Sequence, residues 1–164
     1  MRTMLNVLQM THVLTERPEA TAVEGVRLRT FSGPADIPAW LGLRERSFAR
    51  QRLGVREWSS EDFQREFLAK PWWRPEAMWL AEVEGGVAGS VSLARRETAT
   101  SSKPVVHWLM VAPRFRRRGL GRLLMATLEA AVWDAGERQV WLETHAAWRE
   151  AAELYRALGY ASVQ

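Results

Sequence analysis

The chain has 164 residues, 47% of them hydrophobic and 26% charged, and contains no cysteine. That length suits one domain with one core, and the composition excludes a disordered chain, a disulfide framework and thiolate chemistry. Its 23 lysines and arginines are offset by 19 acids to a net charge of +4, which speaks against a global nucleic-acid-binding charge but permits a local anion site.

The stretch MRTMLNVLQMTHVL is mildly apolar yet broken by Asn6, Gln9, Thr11 and His12, so it reads as neither a signal peptide nor a membrane span. With the lack of cysteine, this gives a cytoplasmic expectation. The polar run Thr15 to Gly25 reads as a linker, making residues 1–25 an N-terminal extension and residues 26–164 the domain proper. VRLRTF alternates as a half-buried strand does, and Ser32, Gly33 and Pro34 precede a helical pattern ending near Phe48. SSEDFQREFLAK predicts a second helix with a serine cap, an acidic first turn, and Phe63 and Phe67 on one face; Pro71 stops it.

Residues 77–97 contain two strand-like runs meeting at Gly85 and Gly86, which are expected to supply the positive φ angles of a tight hairpin. After the loop ATSSK, Val105 to Val111 forms a nearly continuous apolar strand interrupted by His107. A helix is predicted from about Gly119 to Asp134, QVWLET as a strand, WREAAELYRAL as an amphipathic helix stopped by Gly159, and YASVQ as the opening of one more strand. Helices that alternate with strands of a mixed sheet place the chain in the α/β or α+β class, with three layers.

RFRRRGLG, from Arg114 to Gly121, sits where the apolar strand becomes the long helix. Glycines let a backbone approach an anion, a helix N-terminus offers unpaired N–H groups and a favourable dipole, and guanidinium forks suit phosphate oxygens. The segment lacks the third glycine of the dinucleotide fingerprint and the lysine of the P-loop. On spacing alone it is either a pyrophosphate cradle or a solvated basic turn.

VAPRFRRRGLGRLLM resembles the acyl-coenzyme A signature of the GNAT-type N-acetyltransferases, with Arg116, Gly119 and Gly121 at its defining positions. A second block, VWLETHAAWREAAELYRALGY, is similar to the family's later strand and helix, and the two together span residues 105–160. The resemblance implies a three-layer fold with splayed central strands. It also implies that Leu109, Met110 and Val111 line the pantetheine arm, and that Arg116, Arg117, Arg118, Gly119, Leu120, Gly121 and Arg122 surround the pyrophosphate and the adenosine 3'-phosphate. The implied reaction transfers the acetyl group of acetyl-CoA to a primary amine and needs no metal.

Tyr155 matches the tyrosine that protonates the departing thiolate, and Glu143 a position that serves some members as general base. His107 is the rival base, with alternation putting it on the face of Leu109 and Val111; water is a third possibility. Tryptophans 40, 58, 72, 73 and 108 are candidates for an aromatic acceptor pocket as well as for the core.

Two departures stand out. Trp148 occupies the family's asparagine position, and the chain stops at Gln164, short of the usual C-terminal strands. Met4 to Leu14 is expected to supply a missing strand, in its own chain or swapped within a homodimer. The competing reading is a non-catalytic acyl-CoA-binding or sensor domain. Neither membrane nor nucleic acid is an expected partner.

Overall fold

A computed structural model describes residues 7–48 and 56–163. Its strands are β1 (Val7–Val13), β2 (Val26–Thr30), β3 (Met78–Val83), β4 (Gly86–Glu97), β5 (Ser102–Val111), β6 (Gln139–His145) and β7 (Ala161–Ser162), and the main helices are α1 (Asp36–Phe48), α2 (Ser60–Phe63), α3 (Leu120–Asp134) and α4 (Arg149–Ala157). The sheet order is β2-β3-β4-β5-β6-β1-β7, antiparallel except where β5 and β6 run parallel.

Period-two alternation sorts side chains onto the two faces. Along β3, Met78 and Leu80 enter one core and Trp79 and Ala81 the other. The first core holds Ile37, Trp40 and Leu43 of α1 with Phe63 and Phe67; the second is built on Leu120, Leu124, Leu128 and Val132 of α3 and Tyr155 of α4. Helices therefore cover both faces of a mixed sheet, as the three-layer reading required.

Two local outcomes differ from the sequence pattern, and a third takes one of the alternatives it left open. The hairpin turn takes its positive φ angles at Glu84 (54°) and Gly85 (79°), and Gly86 already belongs to β4. Two consecutive left-handed residues match the twist of the flanking strands, so the turn falls one residue earlier than the glycine pair suggests. The second helix is α-helical only to Phe63 and then widens into a π turn over Gln64–Leu68, with the Ala69 N–H donating to the Gln64 carbonyl at 2.8 Å. Its start is as expected: Ser59 and Asp62 form a reciprocal capping box.

The third concerns the N-terminus. Within Met4 to Leu14, residues 4–6 lie outside the described chain, while Val7–Val13 pairs antiparallel with β6 over its whole length and with β7 at Met10 and Thr11. β1 thus lies between β6 and β7 of its own chain. Met10 and Leu14 are buried in the α3/α4 core.

Candidate active site

β5 and β6 touch at one register position, Val105 opposite Trp141. Past that point they diverge, and a cleft of about 850 Å³ opens between them. One wall is β5 from Val105 to Val111, the other is Glu143 and Thr144 of β6 with the α4 side chains from Trp148 to Ala157, and the cleft ends at the first turn of α3.

That helix end has no side-chain cap and no acid in its first turn. Gly119 is its N-cap at φ 88°, and the earliest helical N–H to find a partner is that of Leu123, donating to Gly119 O at 3.0 Å. The amides of Leu120, Gly121 and Arg122 therefore stay unpaired at the positive end of the helix dipole. Arg117, also left-handed at φ 63°, turns the chain just before it. Arg117 and Arg122 are exposed at this end, so the cleft is basic at its head, whereas Glu150 and Glu153 lie along the opposite wall with Glu143, which is paired to Arg96.

The other arginines are otherwise employed. Arg116 donates from Nε to Val111 O and from Nη2 to Ser47 O, both at 3.0 Å, so its guanidinium braces the loop instead of offering these donors to phosphate. Arg118 is not among the lining residues; its guanidinium lies 5.4 Å from the centre of the Phe115 ring, and that of Arg114 lies 5.2 Å from it. Gly121 meets α4, since a Cβ there would lie 3.1 Å from Leu154 Cδ2.

A bulge in β5 reorders the wall. Ser90 faces Met110, but Ser92 faces His107, so Trp108 and Leu109 together stand opposite Val91, and Trp108 adopts φ 54°. His107 accordingly packs with Phe67, Trp72 and Trp108 on the α1/α2 side, while Leu109 and Val111 pack on the α3/α4 side. The shared face expected from alternation is not found, because the extra residue reverses it. Met110 buries its side chain in the α1/α2 core, leaving its backbone to the cleft. Burial, reinforced by Lys70, pushes His107 down to about 4, which leaves the imidazole neutral and a weak base.

Glu143 is exposed and accepts from Arg96 Nη2 at 2.6 Å and from Gln9 Nε2 at 3.4 Å. Tyr155 is buried along the α4 wall, edge-on to Tyr160 at 5.9 Å, and burial raises its phenol above the ordinary value of 10.0. It is protonated throughout the physiological range. Beneath it Tyr160 donates to Glu129 Oε2 at 2.9 Å, and burial raises that carboxyl to about 7.

Of the candidate pocket tryptophans, only Trp108 lines the cleft; residues 40, 58, 72 and 73 pack among other rings of the α1/α2 core. Trp148 does line it, its ring 5.3 Å from that of Phe48 and its Nε1 buried without a partner among the described residues. Sequence patterns carried no sign of Phe48 or Arg96 as lining residues, because both arrive from distant elements. No three His, Asp or Glu side chains converge on a common point among the described residues, and no helix there is long and apolar enough to cross a membrane.

A parallel pair splayed into a wedge, ending on an uncapped helix N-terminus, defines a three-layer α/β protein with a deep cleft between its central strands. Residues 43–160 match the Acetyltransferase (GNAT) family, and the chain belongs to that family. It is 36% identical over 149 residues to a mycothiol acetyltransferase of Thermobispora bispora, covering 89% of this chain and 50% of that protein. A second mycothiol acetyltransferase, from Thermomonospora curvata, is 33% identical over 159 residues, covering 94% and 51%. The chain thus spans about half the length of these curated relatives. In structure it is similar to a GCN5-related N-acetyltransferase from Sphaerobacter thermophilus, with a TM-score of 0.77 at 25% identity, covering 96% of this chain and 48% of that one.

Proposed function

We propose that the cleft binds acetyl-CoA and that the protein transfers its acetyl group to a primary amine. The observation that carries this reading is the wedge between β5 and β6 running directly into the unpaired amides of α3. The amides of residues 120–122, with the Arg117 and Arg122 side chains, would hold the pyrophosphate. The free backbone edge of β5 from Trp108 to Val111 would run beside the pantetheine arm, supplying main-chain partners as a further strand does.

In the transfer, the amine nitrogen forms a bond to the thioester carbonyl carbon and the carbon–sulfur bond breaks. The ammonium proton must leave first, because the protonated nitrogen has no lone pair. We assign that proton to Glu143, directly or through water, in preference to His107, whose imidazole is too weakly basic and packs toward the aromatic core. The departing sulfur takes a proton from Tyr155, which burial keeps protonated. The acids along the β6 and α4 wall favour a cationic acceptor. Because two relatives are named mycothiol acetyltransferases, mycothiol is one acceptor to test.

Calorimetric titration with acetyl-CoA tests the binding half. Arg117→Glu with Arg122→Glu, both exposed, is expected to weaken binding by at least about tenfold through like-charge repulsion; unchanged affinity would remove the phosphate role. Tyr155→Phe tests the chemistry: binding is expected to persist while thiol release with an active amine falls on the order of 10²-fold. The Trp148 ring in place of an asparagine amide favours one alternative, a domain that binds acyl-CoA without transferring it. Tight binding with no thiol release across an amine panel would select that alternative.

A further inference from the structure

Arg44 lies on α1, outside the cleft, and only 4% of it is exposed. Burying a guanidinium is costly unless something compensates it, and here no carboxylate lies within ion-pairing distance among the described residues. Among the described residues its Nε has no partner, and its one side-chain hydrogen bond runs from Nη1 to Arg56 O at 2.8 Å. What surrounds it is aromatic: the guanidinium carbon stands 4.4 Å from the centre of the Trp58 ring and 5.0 Å from that of Trp108. Both distances are within cation–π range, where a desolvated cation interacts most strongly.

Trp108 is the residue that β5 can least easily hold unaided. It sits in the bulge in left-handed backbone, a conformation that costs a bulky residue about 1–2 kcal/mol and persists only where its surroundings impose it. Past Val105, β5 has no partner on its β6 side. The free half of the strand is tied down from α1 instead, at both ends. Arg44 covers the ring of Trp108, and one turn further along the Ser47 carbonyl accepts from Arg116, which also donates to Val111 O. Arg44 is in turn anchored through Arg56, whose guanidinium is held by Asp62 of the α2 capping box at 2.7 Å.

We propose that Arg44 is a positioning residue that clamps the Trp108 bulge against Trp58, so that the unpaired edge of β5 is preformed for the thioester arm of the ligand. The proposal rests on the acetyl-CoA reading of the cleft. It separates two parts of one ligand: the clamp governs the arm beside β5 and has no contact with the phosphate end at α3.

The test is calorimetric titration of wild type, Arg44→Met and Trp58→Leu with acetyl-CoA and with adenosine 3',5'-bisphosphate, which has phosphates but no thioester arm. Loss of the clamp is expected to weaken acetyl-CoA about tenfold and the bisphosphate less than about twofold. Equal weakening of both ligands, or no change in either, would overturn the clamp. Trp58→Leu leaves the buried charge in place and keeps the comparison open if Arg44→Met does not fold. If wild type binds neither ligand, it is the acetyl-CoA reading that falls. The clamp is then judged from melting temperatures of Arg44→Met, Trp108→Leu and the double variant: losses smaller together than summed support it, and additive losses reject it.

Discussion

The two faces of the sheet are packed with different materials. Against α1 and α2 lie rings, with Trp40 in contact with Trp58, Phe63, Phe67 and Trp108 at centroid distances of 5.1 to 5.9 Å. Against α3 and α4 lie mostly aliphatic side chains, including Leu120, Leu124, Met125, Leu128, Val132, Val140 and Leu142. Aliphatic packing is nondirectional and tolerates a regular helix over a regular strand. Ring packing is directional, since edge-to-face pairs are preferred, and it accompanies the π turn after α2 and the bulge at Trp108, while the aliphatic face carries one irregularity of its own, the register slip at Ala88 of β4. The difference teaches that the plain face carries the helix end proposed for phosphate, while the ring-lined face shapes the wall proposed for the thioester.

Removing residues 1–20 strikes one face alone. It strips Met10 and Leu14 from the aliphatic core and leaves β6 and β7 without the strand between them, while removing no ring of the α1/α2 core. Losing two buried side chains at about 2–5 kcal/mol each, plus a strand, approaches the whole stability of a domain. The truncated chain is expected to lose cooperative unfolding in urea; an unchanged midpoint would make β1 dispensable.

The faces also hide ionisable groups of opposite behaviour. His107, against the rings, has its pKa lowered from 6.5 to about 4, so its contribution to stability is complete above 6.5 and is lost as pH falls toward 4. Glu129, on the buried face of α3, has its pKa raised from 4.5 to about 7, so its contribution is complete below 4.5 and is lost as pH rises toward 7. Each amounts to roughly 2–3 kcal/mol, and between about pH 4.5 and 6.5 the two slopes oppose one another. The wild-type urea midpoint is therefore expected to vary little across that window. Glu129→Gln should expose a midpoint that climbs with pH, and His107→Phe one that declines. Identical profiles in all three proteins would mean that neither group is buried as described.

The smallest effects distinguish the two glycines at the α3 end. Gly119→Ala forces a side chain into left-handed backbone and is expected to cost about 1–2 kcal/mol. Gly121→Ala has ordinary helical backbone and meets only the flexible end of Leu154, so a change within about 0.5 kcal/mol is expected from denaturant melts. Reversed magnitudes would mean that close packing between α3 and α4, and not backbone conformation, is what the glycines of this loop serve.

Local chemistry made much of this readable. Ser59 and Asp62 announce a helix start, Gly136 follows the end of α3, and RFRRRGLG marks a helix N-terminus without a cap, because each depends on residues close in sequence. Both strands that diverge into the cleft were legible from their apolar runs, whereas the residues expected to line it came from the family resemblance. The bulge at Trp108 was not: a tryptophan does not favour left-handed backbone, and it is held there by rings and a guanidinium from α1 and the segment before α2. Nor was the employment of Arg116, whose partners Val111 O and Ser47 O meet only once α1 packs against β5.

The order of elements, the layered class and the uncapped, arginine-rich start of α3 could all be read from the residues, because periodicity, capping and charge act within a few positions. Only the packing of distant segments fixed which face His107 occupies, which arginines of the loop are engaged by carbonyls or rings, and where β1 enters the sheet. Those outcomes depend on contacts between segments tens of residues apart, and a single extra residue in one strand was enough to reverse the face on which a side chain lies.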